Sequence, residues 1–248
     1  MKDNFSEVAA DYSKYRPSYP IELIRFILDH CKTKHTAWDC GTGNGQVAME
    51  LAHHFKKIIA TDISRQQLDQ AFKSENIEYR LESAEQCTIE DKSIDLITVA
   101  QAIHWFDFNV FYKQVHRVLK PGGIIAAWAY NNPVLEGNLN NIILEIYEDA
   151  LGAYWDPERQ YITDEYTTIP FPFDEIQCPP FSIAYQWTRE HFTGYISTWS
   201  ALKHYRAKNT TDLLPWIDEK LKAEWPDQTI KSIYFPCHLR MGTVKLIS

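Results

Sequence analysis

Trp38-Asp39-Cys40-Gly41-Thr42-Gly43-Asn44-Gly45-Gln46 is the stretch that decides the fold. It follows a short β-like run, Thr36 to Cys40. It precedes Val47, Ala48, Leu51, Ala52 and Phe55, whose spacing puts an apolar stripe on one helix face. Glycines at a strand-to-helix junction let the backbone turn tightly and let a ligand approach main-chain atoms that a Cβ would block. Asp62 ends a second β-like run 21 residues after Gly41, where a carboxylate is placed to hydrogen-bond a ribose diol. The chain holds only nine glycines in 248 residues, about half of the roughly 7% of average proteins. Three alternating glycines with a carboxylate at that distance argue against a loop that merely needs positive φ, and imply a nucleoside ligand.

The third glycine selects among nucleosides. In the dinucleotide fingerprint G-x-G-x-x-G/A, counted from Gly41, the sixth position is Gln46; here the third glycine comes one residue early, at Gly45. No G-x-x-x-x-G-K-[S/T] run occurs, so a P-loop site is unsupported.

Outward from the loop, residues 36 to 130 alternate β-like runs with amphipathic helical stretches, the signature of a parallel sheet with crossover helices. Strands are expected at Thr36–Cys40, Lys57–Thr61, Ile77–Leu81, Ile94–Ala100 and Ile124–Trp128. Ser64 caps a helix running through Phe72, and Pro121-Gly122-Gly123 stops a helix before the fifth strand. Beyond Leu151 the texture changes: thirteen aromatics fall in the 55 residues to Tyr205, with Pro157, Pro170, Pro172, Pro179 and Pro180. This segment reads as an inserted lid. A strand is expected at Phe181–Trp187, helical stretches at Glu190–Tyr205 and Thr211–Trp225, and a last strand at Thr229–Leu239. Short connections make the late strands antiparallel.

Composition bounds the rest. Net charge is −8 and 45% of residues are hydrophobic, with no apolar run long enough for a membrane span and no signal-peptide core at the start. A cytoplasmic location is expected. Five scattered cysteines with no C-x-x-C support neither a disulfide framework nor a metal site. An acidic chain without Lys/Arg blocks is a poor match for nucleic acid or anionic lipid, so small molecules are the expected partners, with the chain a monomer or homodimer.

Asp39, Gly41, Gly43 and Gly45 match the acidic-x-Gly-x-Gly-x-Gly first motif of the class I S-adenosylmethionine-dependent methyltransferases, which the chain resembles. The resemblance implies that Asp62, with Ile63 beside it, holds the ribose, and that Ser83-Ala84-Glu85 lies along the adenine, Ala84 and Glu85 among the cofactor-binding residues. Val99 to Phe106, with Gln101, matches the motif after the fourth strand, and Arg117 to Gly123 the turn before the fifth. Together these cover roughly residues 36 to 130 in order. Tyr12-Ser13-Lys14-Tyr15-Arg16-Pro17-Ser18-Tyr19-Pro20 and Ala102-Ile103-His104-Trp105-Phe106 resemble the trans-aconitate methyltransferase-like (type 11) group, in which small organic carboxylates are among the acceptors.

The expected fold is therefore α/β and Rossmann-like: a seven-stranded, mostly parallel sheet with one antiparallel edge strand, helices on both faces, and a helical, aromatic lid. One domain, 1–248, divides into an N-terminal cap (1–30), a cofactor core (31–135), helices and lid (136–228) and a final strand (229–248). S-adenosyl-L-methionine is the expected cofactor and S-adenosyl-L-homocysteine the product.

Methyl transfer from a sulfonium needs binding, orientation and electrostatics rather than a nucleophilic side chain. His104 has two roles open to it, general base or hydrogen-bonding group that positions a carboxylate, and a plain alternative as a packed histidine. Trp105 and Phe106 can face the sulfonium or pack a lid. Arg16, among Tyr12, Tyr15 and Tyr19, suits the carboxylate of the cofactor or of an acid acceptor, with an Arg-on-tyrosine stack as the alternative. Arg16 and Tyr15 are expected to touch the cofactor, and Tyr19, Trp105, Trp128 and Tyr130 the acceptor. The aromatic segment either roofs the acceptor pocket or builds a second core or a dimer contact. The rivals are an NAD(P)-dependent oxidoreductase and a non-catalytic binding module on the same fold.

Overall fold

A computed structural model describes residues 15–244. Residues 1–14 of the expected N-terminal cap, Tyr12 included, and the tail 245–248 lie outside the described residues. In chain order the first half runs α1 (Ile21–His30), β1 (Thr36–Cys40), α2 (Gln46–Ala52), β2 (Lys57–Asp62), α3 (Arg65–Asp69), β3 (Ile77–Leu81), β4 (Ile94–Ala100), α4 (Phe108–Val118) and β5 (Leu119–Tyr130). Ser64 caps α3 by accepting a hydrogen bond from the Gln67 amide, but the helix stops at Asp69, short of the expected Phe72. β5 starts five residues earlier than the glycine pair suggests. Its pairing with β4 shifts between Ile94–Leu119 and Leu96–Ile124, so Pro121-Gly122-Gly123 sits in a bulge, where a proline removes no ladder hydrogen bond.

The second half runs α5 (Asn138–Leu144), α6 (Gln160–Thr163), β6 (Asp174–Ile176), β7 (Phe181–Thr188), α7 (Arg189–Ser197), α8 (Ser200–Lys208), α9 (Leu214–Lys222) and β8 (Ile230–Thr243). The helical stretch expected to be continuous from Glu190 to Tyr205 is broken at Thr198-Trp199. The Thr198 hydroxyl donates to the Tyr195 carbonyl there, a local bond that competes with helix continuation.

Strands order as β3-β2-β1-β4-β5-β8, with β6 and β7 both against β8. β1 to β5 are parallel; β8 is antiparallel to β5, β6 and β7. Among the described residues the sheet thus has eight strands rather than seven, and its antiparallel part comprises three. The physical reason is the length of β8: fourteen residues take β7 along Ile230–Cys237 and β6 along Met241–Thr243. At three residues, β6 is too short for alternation to be read from sequence.

Alternating side chains divide the core between the two faces. Ala37, Leu96, Ile124, Ala126 and Trp128 join the cluster that holds α1, α2 and α7 to α9, whereas Trp38, Ile97, Val99, Ile125 and Ala127 join that of α4. One buried carboxylate ties the layers at the amino ends of the strands. Asp95 accepts from the Thr33 hydroxyl, the His35 and Thr36 amides and Lys120 Nζ. Burial opposes its charge, but these donors outweigh it and hold its carboxyl below the usual range. The order reverses between β1 and β4, so their outgoing loops diverge and open a crevice at the carboxyl edge. Among the described residues no helix is long and apolar enough to cross a membrane.

Candidate active site

The crevice is built first by the loop after β1. Gly41, Gly43 and Gly45 all have left-handed φ, near 69°, 57° and 80°. Two of them show why no side chain serves. A Cβ on Gly45 would stand 2.2 Å from Tyr79 Oη on β3, so this glycine permits close packing of α2 on the sheet. A Cβ on Gly43 would meet only Gln67 Oε1, at 3.9 Å, and would project into the crevice. Asp39 holds the loop from below: it is buried, and its carboxylate accepts from the Thr42 hydroxyl at 2.5 Å and the Thr98 hydroxyl at 2.8 Å. Burial raises its pKa to about 6 despite those donors. Asp62, at the end of β2, accepts from the Gly43 amide through Oδ2 and from the Ser64 amide through Oδ1, both at 2.8 Å.

These residues line a cleft of about 850 Å³ counted with its open mouth. Arg16, Tyr19, Asp39, Gly41, Gly43, Asp62, Ile63, Gln101, Trp105 and Tyr130 are brought together there. Gln101 is distinctive. Its backbone is left-handed, φ 53°, its amide is held by the Trp128 carbonyl, and its side-chain Oε1 is buried with no hydrogen-bond partner among the described residues. Such strain in a non-glycine residue clusters at functional sites.

A second cavity, about 520 Å³ on the same measure, adjoins the first and shares Arg16, Gln101 and Trp105 with it. Its other walls come mostly from the aromatic segment: Trp155, Asp156, Arg159, Ile162, Tyr195 and Trp199, with His104 from the loop after β4. Arg16 bridges the two halves of the molecule. Nε and Nη2 donate to Thr198 Oγ1 and its carbonyl, both at 3.0 Å, and Nη1 donates to Tyr130 Oη at 2.9 Å, with the guanidinium 5.5 Å from the Tyr195 ring centre. The break between α7 and α8 is what supplies that carbonyl, since a continuous helix would have used it. Arg159 donates through Nε to Tyr147 Oη and through Nη2 to Asn132 Oδ1, and lies 5.2 Å from the centre of Trp155.

Several expected contacts fall elsewhere. Gly45 lies behind the cleft, against Tyr79. Ala84 is buried, and Glu85 accepts from the Asp107 amide at 3.1 Å; neither lines the cleft. Tyr15 packs on Gly194 and edge-on to His191, away from both cavities, because the chain turns at Arg16 to reach Thr198. Trp128 is fully buried, meets Tyr19 edge-on and lines neither cavity. His104 is buried in the second cavity, with Nδ1 2.8 Å from Tyr166 Oη. Burial, with the charge of Arg159, lowers its pKa to about 3, which keeps the ring neutral and makes it a poor general base. Sequence reading passed over Arg159, whose sole signal is a cation amid aromatics, and Tyr166, which carries none.

The comparisons with known proteins agree with this geometry. Residues 38–127 match the family described as a methyltransferase domain. A methyltransferase of Dictyostelium discoideum is 35% identical over 245 residues, 96% of this chain and 93% of the relative. A Saccharomyces cerevisiae relative named as an S-adenosylmethionine-dependent methyltransferase is 32% identical over 143 residues, 54% of this chain and 48% of its own. Among solved structures, a type II methyltransferase from Anaeromyxobacter dehalogenans superposes with a TM-score of 0.85 at 33% identity, covering 92% of this chain and 98% of that one. The chain belongs to the class I S-adenosylmethionine-dependent methyltransferases, which removes the nicotinamide alternative.

The residues present fit that cofactor. The space beside Gly43 is open where a Cβ would fill it, an anchored carboxylate ends β2, and Gln101 Oε1 is an unused acceptor at the inner wall.

Proposed function

We propose that the chain methylates a small acid held in the second cavity, with S-adenosylmethionine in the first. The observation that carries this reading is the junction: the two cavities share Arg16, Gln101 and Trp105, so a donor in one and an acceptor in the other meet at a common wall. When bound, S-adenosylmethionine supplies an electrophilic methyl group.

Asp62, with Ile63 next to it, takes the ribose diol, and the Gly41–Gly43 turn lets the ligand lie against main chain. Trp105 offers a ring to the sulfonium, an attraction of about 0.5–2 kcal/mol. Arg16 sets a positive charge at the junction that suits either the methionine carboxylate or an acid acceptor. Two guanidinium groups, Arg16 and Arg159, face Asp156 as the one carboxylate among the residues lining the second cavity, which favours an anionic guest. Aromatic walls exclude water and hold the acceptor at attacking distance, which supplies much of the rate without a nucleophilic side chain. The acidic chain supports a small-molecule acceptor over nucleic acid or membrane.

Isothermal calorimetry with S-adenosylhomocysteine tests the donor half, and transfer of labelled methyl into a metabolite extract tests the whole. Absence of binding at high micromolar ligand in folded protein would sink the reading.

A further inference from the structure

Behind the second cavity, Tyr166 takes part in nothing proposed so far, yet the fold goes to some trouble to place it. Glu165 and Tyr166 both have left-handed backbones, φ 56° and 60°, an unfavourable pair for residues with side chains. The turn is pinned from two sides. Arg240 Nη1 donates to the Tyr166 carbonyl at 2.9 Å and to that of Ile169 at 2.6 Å, and the Tyr166 amide donates to the Tyr161 carbonyl at 2.8 Å. The result is a phenol 1% exposed, with Oη 2.8 Å from His104 Nδ1 and no other hydrogen bond to Oη among the described residues.

That contact fixes a proton. A phenol is a better donor than a neutral imidazole N–H, and an imidazole nitrogen a better acceptor than a phenol oxygen, so the Tyr166 hydroxyl donates to Nδ1. The ring proton then resides on Nε2, since the hydrogen bond at one nitrogen sets the state of the other. Nε2 is the remaining polar atom of a side chain that lines the cavity, beside Arg159, whose Nη1 makes no hydrogen bond among the described residues.

We propose that Tyr166 is a positioning residue that locks His104 as its Nε2–H tautomer, so that His104 Nε2–H and Arg159 Nη1 together grip an acid oxygen of the methyl acceptor. The inference rests on the reading of the second cavity as the acceptor site and deepens it. His104 is then a donor and takes no proton: Nδ1 is occupied, and Nε2 already carries hydrogen. The acceptor therefore presents an ionised oxygen acid to this wall rather than a hydroxyl that His104 must deprotonate.

Long-range proton–nitrogen correlation spectra of the full chain labelled with 15N-histidine read the tautomer directly, the His104 signals being assigned by their loss in His104→Gln. The expected spectrum is that of the Nε2–H form, and Tyr166→Phe is expected to shift it toward Nδ1–H. An Nδ1–H ring in the wild-type protein overturns the proposal, and that reading stands even if the Tyr166 variant fails to fold. In calorimetry on protein saturated with S-adenosylhomocysteine, a panel of small mono-, di- and tricarboxylates is expected to include binders that Tyr166→Phe weakens about tenfold, with cofactor-product affinity unchanged. Binding of no carboxylate to the saturated wild-type protein overturns the acid-grip half. The tautomer is read without any ligand, so failure of S-adenosylhomocysteine to bind strikes the methyl-transfer reading, whereas an Nδ1–H spectrum strikes this one.

Discussion

The two cavities meet at one wall but are made differently. The cleft over β1, β2 and β4 is built largely from strand ends and the turns that leave them, and main chain fixes two of its key residues: Asp62 accepts from the amides of Gly43 and Ser64, and the Gln101 backbone amide donates to the carbonyl of Trp128. The cavity beside it is walled by side chains from distant segments, Trp155, Arg159, Tyr195 and Trp199, joined to the sheet half by Arg16 and His104. Backbone-built sites follow from local geometry and tolerate little change. Side-chain-built sites depend on long-range packing and can be altered one residue at a time. The contrast predicts that variants of the first region disturb fold and cofactor together, and that variants of the second change acceptor use alone.

Gly45→Ala is the severest test. A methyl there stands 2.2 Å from Tyr79 Oη, on a backbone at φ 80° that side chains rarely adopt. Strain and overpacking together should destabilise the protein by about 4 kcal/mol in denaturant titrations. Gly43→Ala shares the positive φ but not the clash, so it should lose S-adenosylhomocysteine affinity with a smaller loss of stability. Equal stability losses in the two variants would break the distinction between the packing glycine and the ligand-facing one.

How much of this was legible in the sequence follows the same divide. The glycine loop, Asp62 and five parallel strands could be read because each is local: an alternation of period two, a stripe of period 3.6, a turn that needs glycine. Ala84 and Glu85 were placed by motif resemblance and Trp128 as an acceptor contact, and in the structure none of the three lines either cavity. Arg159 and Tyr166 left no such trace, since what brings them to the site is the anchoring of Arg159 on Tyr147 and Asn132, a left-handed turn at Glu165-Tyr166 and a clamp by Arg240, contacts between residues well apart in sequence.

The buried titratable groups put opposite signs on the two regions. His104 has an ordinary pKa near 6.5 in the unfolded chain and about 3 in the folded protein, so its contribution is present above pH 6.5 and is lost as pH falls toward 3. At pH 4 that loss is of the order of 3 kcal/mol. Asp39 runs the other way: its folded pKa, raised to about 6, gives stability that is present below pH 3.8 and lost as pH rises through 6. His104→Gln keeps a polar group without the titration, so its unfolding free energy should fall less than that of the wild type between pH 7 and pH 4. Identical acid slopes would mean that His104 is not held neutral.

Asp62→Ala should weaken S-adenosylhomocysteine by about 2 kcal/mol, roughly thirtyfold, for loss of a charge-assisted pair of bonds to the ribose. Because Asp62 also anchors the Gly43 amide, the same variant should lower stability, as the backbone-built half requires. Cofactor affinity unchanged in a folded Asp62→Ala protein would remove the carboxylate from the ribose.

Trp155→Phe should have the smallest effect and is the sharpest test of the comparison. The Trp155 indole lies 5.2 Å from the Arg159 guanidinium carbon, and its Nε1–H donates to the Tyr147 carbonyl at 3.0 Å. Phenylalanine keeps a ring beside the guanidinium but gives up the indole and its hydrogen bond, a loss of about 1 kcal/mol or roughly fivefold. In a side-chain-built cavity that loss falls on Arg159 and hence on the acceptor: KM for an acid acceptor identified by labelled methyl transfer should rise while S-adenosylhomocysteine affinity stays at the wild-type value. Both affinities falling together would mean that the two cavities are one mechanical unit, and the division into a backbone-built donor half and a side-chain-built acceptor half would not hold.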